Sequence, residues 1–265
     1  MKEKRKKKGH NNNPYWRLPL SIEALAQYGA LDVEYASGAF DAQGSWQLTW
    51  EIWLLTPNIK ESSHHGYVQI KKTLPKGSDT FNLSVEQQMI EQHSLSVQKA
   101  EITCLNDRFA TPLKWTKNFD VRSFNSDLPI NRIGLDKKGS LQGNQLIDGQ
   151  THKKIAVPVS CNWCLPDALQ RLSLSDAKEL PLFTLLDELE KIKEEQHIRF
   201  LGQRQIPFAG MEVTVKLYQH TGRGMLPYFY YIDLQGRLLV ALSGMQAFIL
   251  NPQVKSLLKK RLKHR

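Results

Sequence analysis

The chain is poor in the local signals that most directly identify an enzyme. Its 265 residues contain no Gly-x-Ser-x-Gly nucleophile motif, no Gly-x-Gly-x-x-Gly fingerprint and no phosphate-binding P-loop. Gly222-Arg-Gly224 is an isolated Gly-x-Gly sequence, and a turn between two strands is enough to explain its glycines. Neighbouring carboxylates such as Glu194 and Glu195 lie in a charged stretch, where exposure to solvent is enough to explain them. The sequence therefore predicts no catalytic residue and no cofactor, and it favours a protein that is not an enzyme.

Cysteine is scarce as well. The chain has three, Cys104, Cys161 and Cys164, which are too few for a disulfide scaffold, and the odd count leaves at least one free. A structural zinc site needs about four ligands, usually from two Cys or His pairs. Only one Cys-x-x-Cys pair is present, and His152, His197 and His220 are scattered along the chain. The sequence predicts no metal site.

The folded part lacks the positive charge that the whole-chain value suggests. The formal net charge is +10, but residues 1–8 hold six Lys/Arg and one Glu, and residues 255–265 hold six Lys/Arg and no acid. These two segments carry +5 and +6, which leaves residues 9–254 at about −1. A duplex-binding domain usually carries positive charge on its own surface. We therefore expect no specific nucleic-acid partner, whereas the basic tails are candidates for contact with an anionic membrane surface.

Long apolar runs are absent too. No stretch of 18 apolar residues exists, so the sequence predicts no transmembrane helix. The basic start resembles the charged region of a signal peptide, but no apolar region follows it. A complete start would imply the cytoplasm, and a missing leader would allow the envelope.

What the chain does have is a series of short alternating runs separated by turns. The stretch from Met211 to Leu250 predicts three consecutive antiparallel strands, with turns at Gly222-Arg-Gly224 and Asp233–Gly236. Residues 45–55 predict another strand, on which Trp46 and Trp50 share one face. About ten such strands indicate a β-rich α+β fold: a mainly antiparallel curved sheet, either an open barrel or a sandwich, with a small helical insert.

The domain prediction is a flexible basic tail at 1–13, one β-rich domain at 14–250 and a basic tail or helix at 251–265. Within the domain, the pattern predicts a short helix capped by Ser21, a strand at Leu31–Phe40 and a loop with at most one hairpin at 122–150. Residues 86–95 fit either a strand or a helix. The helical insert covers 161–197, and its longer helix is predicted at 182–196.

Two groups of residues are candidate sites. Aromatic side chains on strands that face one another could line an apolar cavity in a curved sheet, although an ordinary sandwich core explains them equally well. The candidates are Trp46, Trp50, Trp115, Tyr228 and Tyr230. Separately, Cys161-Asn-Trp-Cys164 follows a predicted strand and precedes a predicted helix, which is where dithiol redox sites lower a thiol pKa. The alternative is a packed turn in which Trp163 and Cys164 fill the core.

The body resembles bacterial envelope proteins with an open, half-barrel β-sheet, of the lipoprotein-carrier type, and their uncharacterised relatives. The resemblance rests on the turn-separated strands and on the run Gly224-Met-Leu-Pro-x-x-Tyr-x-x-Asp-x-x-Gly-Arg-Leu-Leu. It covers residues 30–120 and 198–250 and identifies no functional residue. It implies a binding protein that holds a lipid or another apolar or amphiphilic ligand on a concave sheet. A structural or interaction protein without a small ligand, and a dithiol redox protein using Cys161 and Cys164, are the alternatives.

Overall fold

One continuous, open sheet of 15 strands dominates the computed structural model, which describes residues 20–35, 38–55, 64–91, 94–123 and 132–262. The strands are Trp46–Leu54 (β1), His64–Thr73 (β2), Thr80–Glu91 (β3), Ser94–Leu105 (β4), Pro112–Ser123 (β5), Arg132–Gln142 (β6), Gln145–Asp148 (β7), Thr151–Lys154 (β8), Val159–Cys161 (β9), Glu179–Asp187 (β10), Lys191–Phe208 (β11), Met211–Thr221 (β12), Tyr228–Asp233 (β13), Leu238–Leu242 (β14) and Gln246–Leu250 (β15). Three helices accompany them: Ile22–Gln27 (α1), Leu165–Leu174 (α2) and Val254–Leu262 (α3).

The sheet consists of two meanders joined at the centre. Strands β1 to β8 follow one another outward on one side, β15 back to β9 do so on the other, and β1 pairs with β15. Every pairing is antiparallel except that of β9 with β10. Consecutive pairing of this kind follows from the short turns between alternating runs. The predicted fold class is confirmed.

One face of the sheet, which we call the inner face, carries most of the large apolar side chains. Cross-strand partners share a face, and the register places Tyr230 opposite Ala241, Ala241 opposite Phe248, and Phe248 opposite Ile52. Trp50 is two residues from Ile52 and therefore lies on the same face. Helix α2 covers this face. The backbone N–H of Leu238, on β14, donates to Oε1 of Gln170, on α2 (3.1 Å).

The sheet curls around its inner face until distant strands meet. Ser160, on β9, donates from Oγ to the carbonyl oxygen of Phe109, in the β4–β5 connection (2.7 Å). Lys117, on β5, reaches Oε1 of Glu190, in the β10–β11 turn (2.8 Å). These contacts join the β9–β10 end of the sheet to the β4–β5 region and enclose α2 between them.

Helix α3 docks on the opposite, outer face. Val254 and Leu258 are buried against Tyr67 of β2. Lys255 donates from Nζ to Oε2 of Glu86 (2.8 Å), and the Tyr67 hydroxyl donates to Oε1 of the same carboxylate (2.6 Å). Although burial opposes it, these donors lower the pKa of Glu86. The predicted C-terminal helix is present, and part of its apolar side covers the sheet.

Two adjacent leucines of α3 give a matched test of this docking. Leu258 is 1% exposed and Leu257 is 42% exposed. We expect Leu258→Ala to lower the free energy of unfolding by about 2 kcal/mol, since it removes buried apolar contacts. Leu257→Ala should change it by less than about 0.5 kcal/mol. Urea unfolding measures both values, and equal effects of the two substitutions would show that α3 is not docked as described.

Several local predictions are confirmed. Ser21 caps α1, where its Oγ accepts from the backbone N–H of Ala24 (3.1 Å). Gly29 follows this helix with φ of 67°, as expected of a residue that ends it. The described residues within 86–95, which fitted a strand or a helix, belong to the end of β3 and the start of β4. The predicted tail at 1–13 lies outside the described residues.

Three local predictions are wrong. Residues 182–196 form β10 and the start of β11, not a helix, so the helical insert reduces to α2. Leu31–Phe40 contains no strand in its described residues; Leu31 is buried there, and its carbonyl oxygen accepts from the backbone N–H of Ala209 (2.8 Å). The described residues within 122–150 form the end of β5 together with β6 and β7, where a loop with at most one hairpin was predicted.

Candidate ligand-binding cavity

A cavity of about 460 Å³ lies between the inner face of the sheet and the β9–α2 segment. Its volume falls in the range of about 300–1,000 Å³ that is common for small-molecule sites. Apolar side chains from five strands and from α2 form most of its wall: Trp50, Val68, Ile70, Leu165, Leu185, Leu238, Ala241 and Phe248. Tyr228 and Tyr230 complete this wall from β13. The cavity exists because the curled sheet is wider than α2 can fill.

A column of stacked rings forms one side of the cavity. Phe183 stacks on His220 (ring centroids 5.6 Å apart), His220 on Tyr230 (6.2 Å) and Tyr230 on Tyr228 (6.1 Å). His220 of β12 lies opposite Tyr228 of β13, and Tyr230 is two residues from Tyr228, so these three rings share a face, while Phe183 comes from β10, on the far side of β11. The column is therefore built by the strand register.

His220 is held neutral within this column. Burial lowers its pKa from 6.5 to about 3, and the positive charge of Lys193 acts in the same direction. Its Nε2 lies 3.1 Å from Oε1 of Gln196, which fits a protonated Nε2 donating to the amide oxygen. Burial also raises the pKa of Tyr230, so its hydroxyl stays protonated. This side of the cavity is aromatic and uncharged at neutral pH.

Polar groups gather at the β10–β11 side of the cavity. Lys193 forms an ion pair with Asp187 (2.8 Å), in which both side chains are partly exposed. Asn162 accepts from the backbone N–H of Glu188 (2.8 Å) and thereby links the Cys-x-x-Cys turn to the β10–β11 turn. All four residues line the cavity. The cavity thus has an apolar interior and a charged border, which is the arrangement that suits an amphiphilic molecule.

The structure brings together three of the five predicted ligand-binding aromatics. Trp50, Tyr228 and Tyr230 line the cavity. Trp46 and Trp115 lie on the same inner face by register but do not line the cavity. Trp46 packs beside Phe40, and Trp115 packs over Gly139, where an added Cβ would collide with the indole ring. These two residues belong to the packed core outside this cavity.

All three cysteines converge in the core, although Cys104 is far from Cys161 and Cys164 in the sequence. Cys161 ends β9 and Cys164 caps α2, and their Sγ atoms are 2.8 Å apart. Cys104, on β4, places its Sγ 3.6 Å from that of Cys164. The three side chains are fully buried, and burial raises the pKa of Cys104 and of Cys164. Reactive dithiols need accessible thiols of lowered pKa, so this geometry favours the packed-turn alternative over the redox alternative.

Several lining residues were not predicted as site residues from the sequence. His220 was considered only as a scattered metal ligand, and Trp163 only as a core residue. Phe248, Met225 and Leu226 had no predicted role in a site. For His220, the signal was its position two residues after Tyr218 on the same strand face. For the loop residues Met225 and Leu226, sequence periodicity offers no signal, because their place depends on how the sheet curls.

Among the described residues, no group of three or more His, Cys, Asp or Glu side chains is arranged to hold a metal ion. In the part of the chain that the structure describes, no helix is long and apolar enough to cross a membrane. No protein-family model matches the chain, and no curated protein matches it. The case for a function therefore rests on the cavity.

Proposed function

We propose that the protein is a non-enzymatic binding protein that holds an apolar or amphiphilic ligand, such as a lipid, in this cavity. The observation that carries the proposal is the cavity between Trp50 of β1, Tyr230 of β13 and Leu165 of α2, whose interior wall is mainly apolar. A core that served only packing would leave few voids larger than a water molecule. An apolar space of this size gains stability when an apolar ligand fills it.

The charged border supports an amphiphile over a plain hydrocarbon. A ligand whose chain lies among the rings would place its polar end near Asp187 and Lys193, which are partly exposed and remain solvated. Hydrogen-bonding groups at the border also include Asn162 and Gln246. Such groups fix the orientation of a ligand whose affinity comes from apolar contacts.

Native mass spectrometry followed by organic extraction is the first test. A bound mass that survives gentle purification would support the proposal and identify the ligand class. For protein that purifies empty, a brominated fatty acid is a suitable probe, because bromine quenches tryptophan on contact and Trp50 and Trp163 line the cavity. Protein that purifies empty and shows no quenching would favour a structural or protein-interaction role.

A cavity-filling substitution locates the bound molecule. Ala241 lines the cavity on the inner face, so we expect Ala241→Phe to place a ring in the ligand volume and to weaken probe binding at least about tenfold. The control is Ala177→Phe, the same change at an exposed residue that does not line the cavity. Quenching titrations give both affinities, and urea unfolding checks that each variant is folded. Unchanged affinity in folded Ala241→Phe would place the ligand elsewhere.

A further inference from the structure

Two small side chains lie next to each other on the inner face of the sheet, at the end of β14. Ala241 is opposite Tyr230 of β13 on one side and opposite Phe248 of β15 on the other. Ser243 is two residues further along and lies on the same face, and its backbone N–H donates to the carbonyl oxygen of Gln246 (2.8 Å). All five residues line the cavity. The two small side chains therefore form the floor of a depression in the inner face.

Aromatic side chains form both walls of this depression. Tyr228 and Tyr230 lie on the β13 side, with ring centroids 6.1 Å apart and an angle of 22° between the ring planes. Phe248 lies on the β15 side. Tyr228 and Phe248 are both partly exposed, so each ring retains surface that a ligand can cover. We call the depression between these three rings, with Ala241 and Ser243 as its floor, the ring slot.

The width of the ring slot fits one flat ring. β13 and β15 flank β14, and neighbouring strands are about 4.8 Å apart, so the two walls rise from strands about 10 Å apart. Non-bonded carbon atoms in contact are about 3.5–4.0 Å apart, so a flat ring between two ring side chains needs about 7–8 Å. The side chain of Ala241 is a single methyl group, which leaves the space above β14 open. One aromatic ring fills this space, whereas a second layer does not fit.

The polar groups at one end of the ring slot are uncharged. The Tyr228 hydroxyl donates to Oε1 of Gln246 (3.2 Å). Burial raises the pKa of Tyr228, against the effect of a hydrogen bond with Ser243, so this hydroxyl stays protonated at neutral pH. The charged lining residues belong instead to β10, to β11 and to the turn between them: Asp187, Glu188 and Lys193. A hydroxyl group on a ligand ring can therefore form hydrogen bonds at the slot without breaking an ion pair.

Two physical effects make such a slot selective for an aromatic ring. Aromatic pairs in offset-stacked or edge-to-face arrangements attract each other beyond the effect of their buried area. In addition, a rigid ring loses little conformational freedom on binding, whereas a flexible chain must be immobilised bond by bond. A saturated ring of the same skeleton shares the second effect but not the first, because it has no π-system and is not flat.

We propose that the ligand carries a flat aromatic ring with an uncharged polar substituent, and that this ring occupies the ring slot between Tyr228 and Phe248. The inference rests on the proposed function, since it names the class of molecule that the cavity holds. The remaining apolar part of the ligand extends toward Trp50 and Leu165, which line the cavity. The substituent forms hydrogen bonds with Gln246. Alkylphenols are amphiphiles of this class.

Two probes with the same carbon skeleton test the proposal. 4-Butylphenol and 4-butylcyclohexanol each carry one hydroxyl group, but only the phenol has a flat aromatic ring. We expect the full-chain protein to bind the phenol at least about tenfold more tightly, since each wall of the slot adds an aromatic contact. Isothermal titration calorimetry gives both dissociation constants. Equal affinities, or tighter binding of the cyclohexanol, would overturn the proposal.

Two adjacent residues of β13 provide matched variants. Tyr228 lines the cavity, whereas Phe229 lies on the opposite face of the strand and does not line it. Tyr228→Leu removes one wall ring and should reduce the preference for the phenol at least about threefold, while Phe229→Leu should preserve it. Phe248→Leu tests the other wall in the same way. Urea unfolding checks that each variant is folded. The same preference in all three variants would place the ring outside the slot and overturn the proposal.

Quenching by the brominated fatty acid separates this inference from the proposed function, because it reports occupation of the cavity by a molecule without an aromatic ring. Quenching together with equal affinities for the two ring probes, or with no binding of 4-butylphenol, would leave the binding function and overturn the ring slot. No quenching and no binding of either probe would overturn both. A preference for the phenol that Tyr228→Leu reduces and Phe229→Leu preserves supports the ring slot, whatever the affinity for the fatty acid.

Discussion

Asp167→Ala is expected to lower the free energy of unfolding by about 3–5 kcal/mol, because it leaves a buried lysine without its counter-charge. Nζ of Lys72, on β2, lies 2.7 Å from Oδ1 of Asp167, on α2, and both side chains are inaccessible to solvent. Asp167 also pairs with Arg171 (2.8 Å). Burial lowers the pKa of Lys72, and its attraction to Asp167 only partly offsets that effect. This cluster attaches α2 to the inner face of the sheet.

The control is an ion pair of nearly the same length that is partly exposed to solvent. Asp187→Ala removes the partner of Lys193, which lies 2.8 Å away. Water replaces the lost partner there, so the expected cost is below about 1 kcal/mol. Urea unfolding of both variants gives the comparison. Similar costs for Asp167→Ala and Asp187→Ala would contradict the assigned burial of the Lys72 pair.

A double variant tests whether the cost comes from the unpaired charge. Lys72→Met/Asp167→Leu removes both charges and keeps apolar volume, and buried pairs replaced in this way often lose little stability. We expect the double variant to be more stable than Asp167→Leu alone. If the two single substitutions simply add, Lys72 and Asp167 do not act as a pair.

The strands could be predicted from the sequence because their signal is local. Alternation of apolar and polar residues in 211–250 and 45–55 indicated strands, and the turns at Gly222–Gly224 and Asp233–Gly236 indicated antiparallel neighbours. The structure has β12, β13 and β14 at the three predicted places in 211–250 and β1 within 45–55, and Gly236 N–H donates to the Asp233 carbonyl (3.0 Å). A fourth strand in 211–250, β15, was not predicted. For the predicted strands the local pattern agrees with the fold, so these strands can be located in the sequence without knowledge of the tertiary structure.

The predicted helix at 182–196 shows where local signals fail. Its leucines, glutamates and lysines favour a helix in isolation, but tertiary pairing overrides that preference. β10 pairs with both β9 and β11, and the turn between β10 and β11 contains Glu188 and Leu189 with φ of 51° and 61°. Those positive φ angles are incompatible with a helix, and the residue types at these positions do not predict them.

The candidate site was only partly predictable for the same reason. Alternation placed Trp50, Tyr228 and Tyr230 on strand faces, and the cross-strand register then put those faces on one side of the sheet. The meeting of Cys104 with Cys164 depends on how far the sheet curls, and so does the position of the cavity-lining residues Leu226 and Met245. Curvature is the sum of twist and contacts over the whole sheet, so no short stretch of sequence encodes it.

The fold is expected to lose stability as the pH falls from 6.5 toward 3, because His220 resists protonation. In the unfolded chain a histidine binds a proton below about pH 6.5. In the folded protein burial lowers the pKa of His220 to about 3. Between these values the unfolded state binds more protons, so stability falls as the pH is lowered, by about 1.4 kcal/mol per pH unit. Above pH 6.5 this contribution is constant.

The window from pH 6.5 to 5 isolates His220 from the carboxylates. The pKa values of Glu86 and Glu190 are lowered from 4.5, so their protonation begins to act only at more acidic pH. Urea unfolding at the two ends of this window should give a loss of about 2 kcal/mol for the wild type. His220→Gln should remove most of that loss, whatever its effect on stability at neutral pH.

His197→Gln is the matched control for this slope. His197 is partly exposed and lies outside the ring column, so the same substitution there controls for the exchange of His for Gln. An unchanged slope in His220→Gln would show that His220 is solvated in the folded protein. The ring column would then be open to water, and the apolar cavity on which the proposed function depends would lose one of its walls.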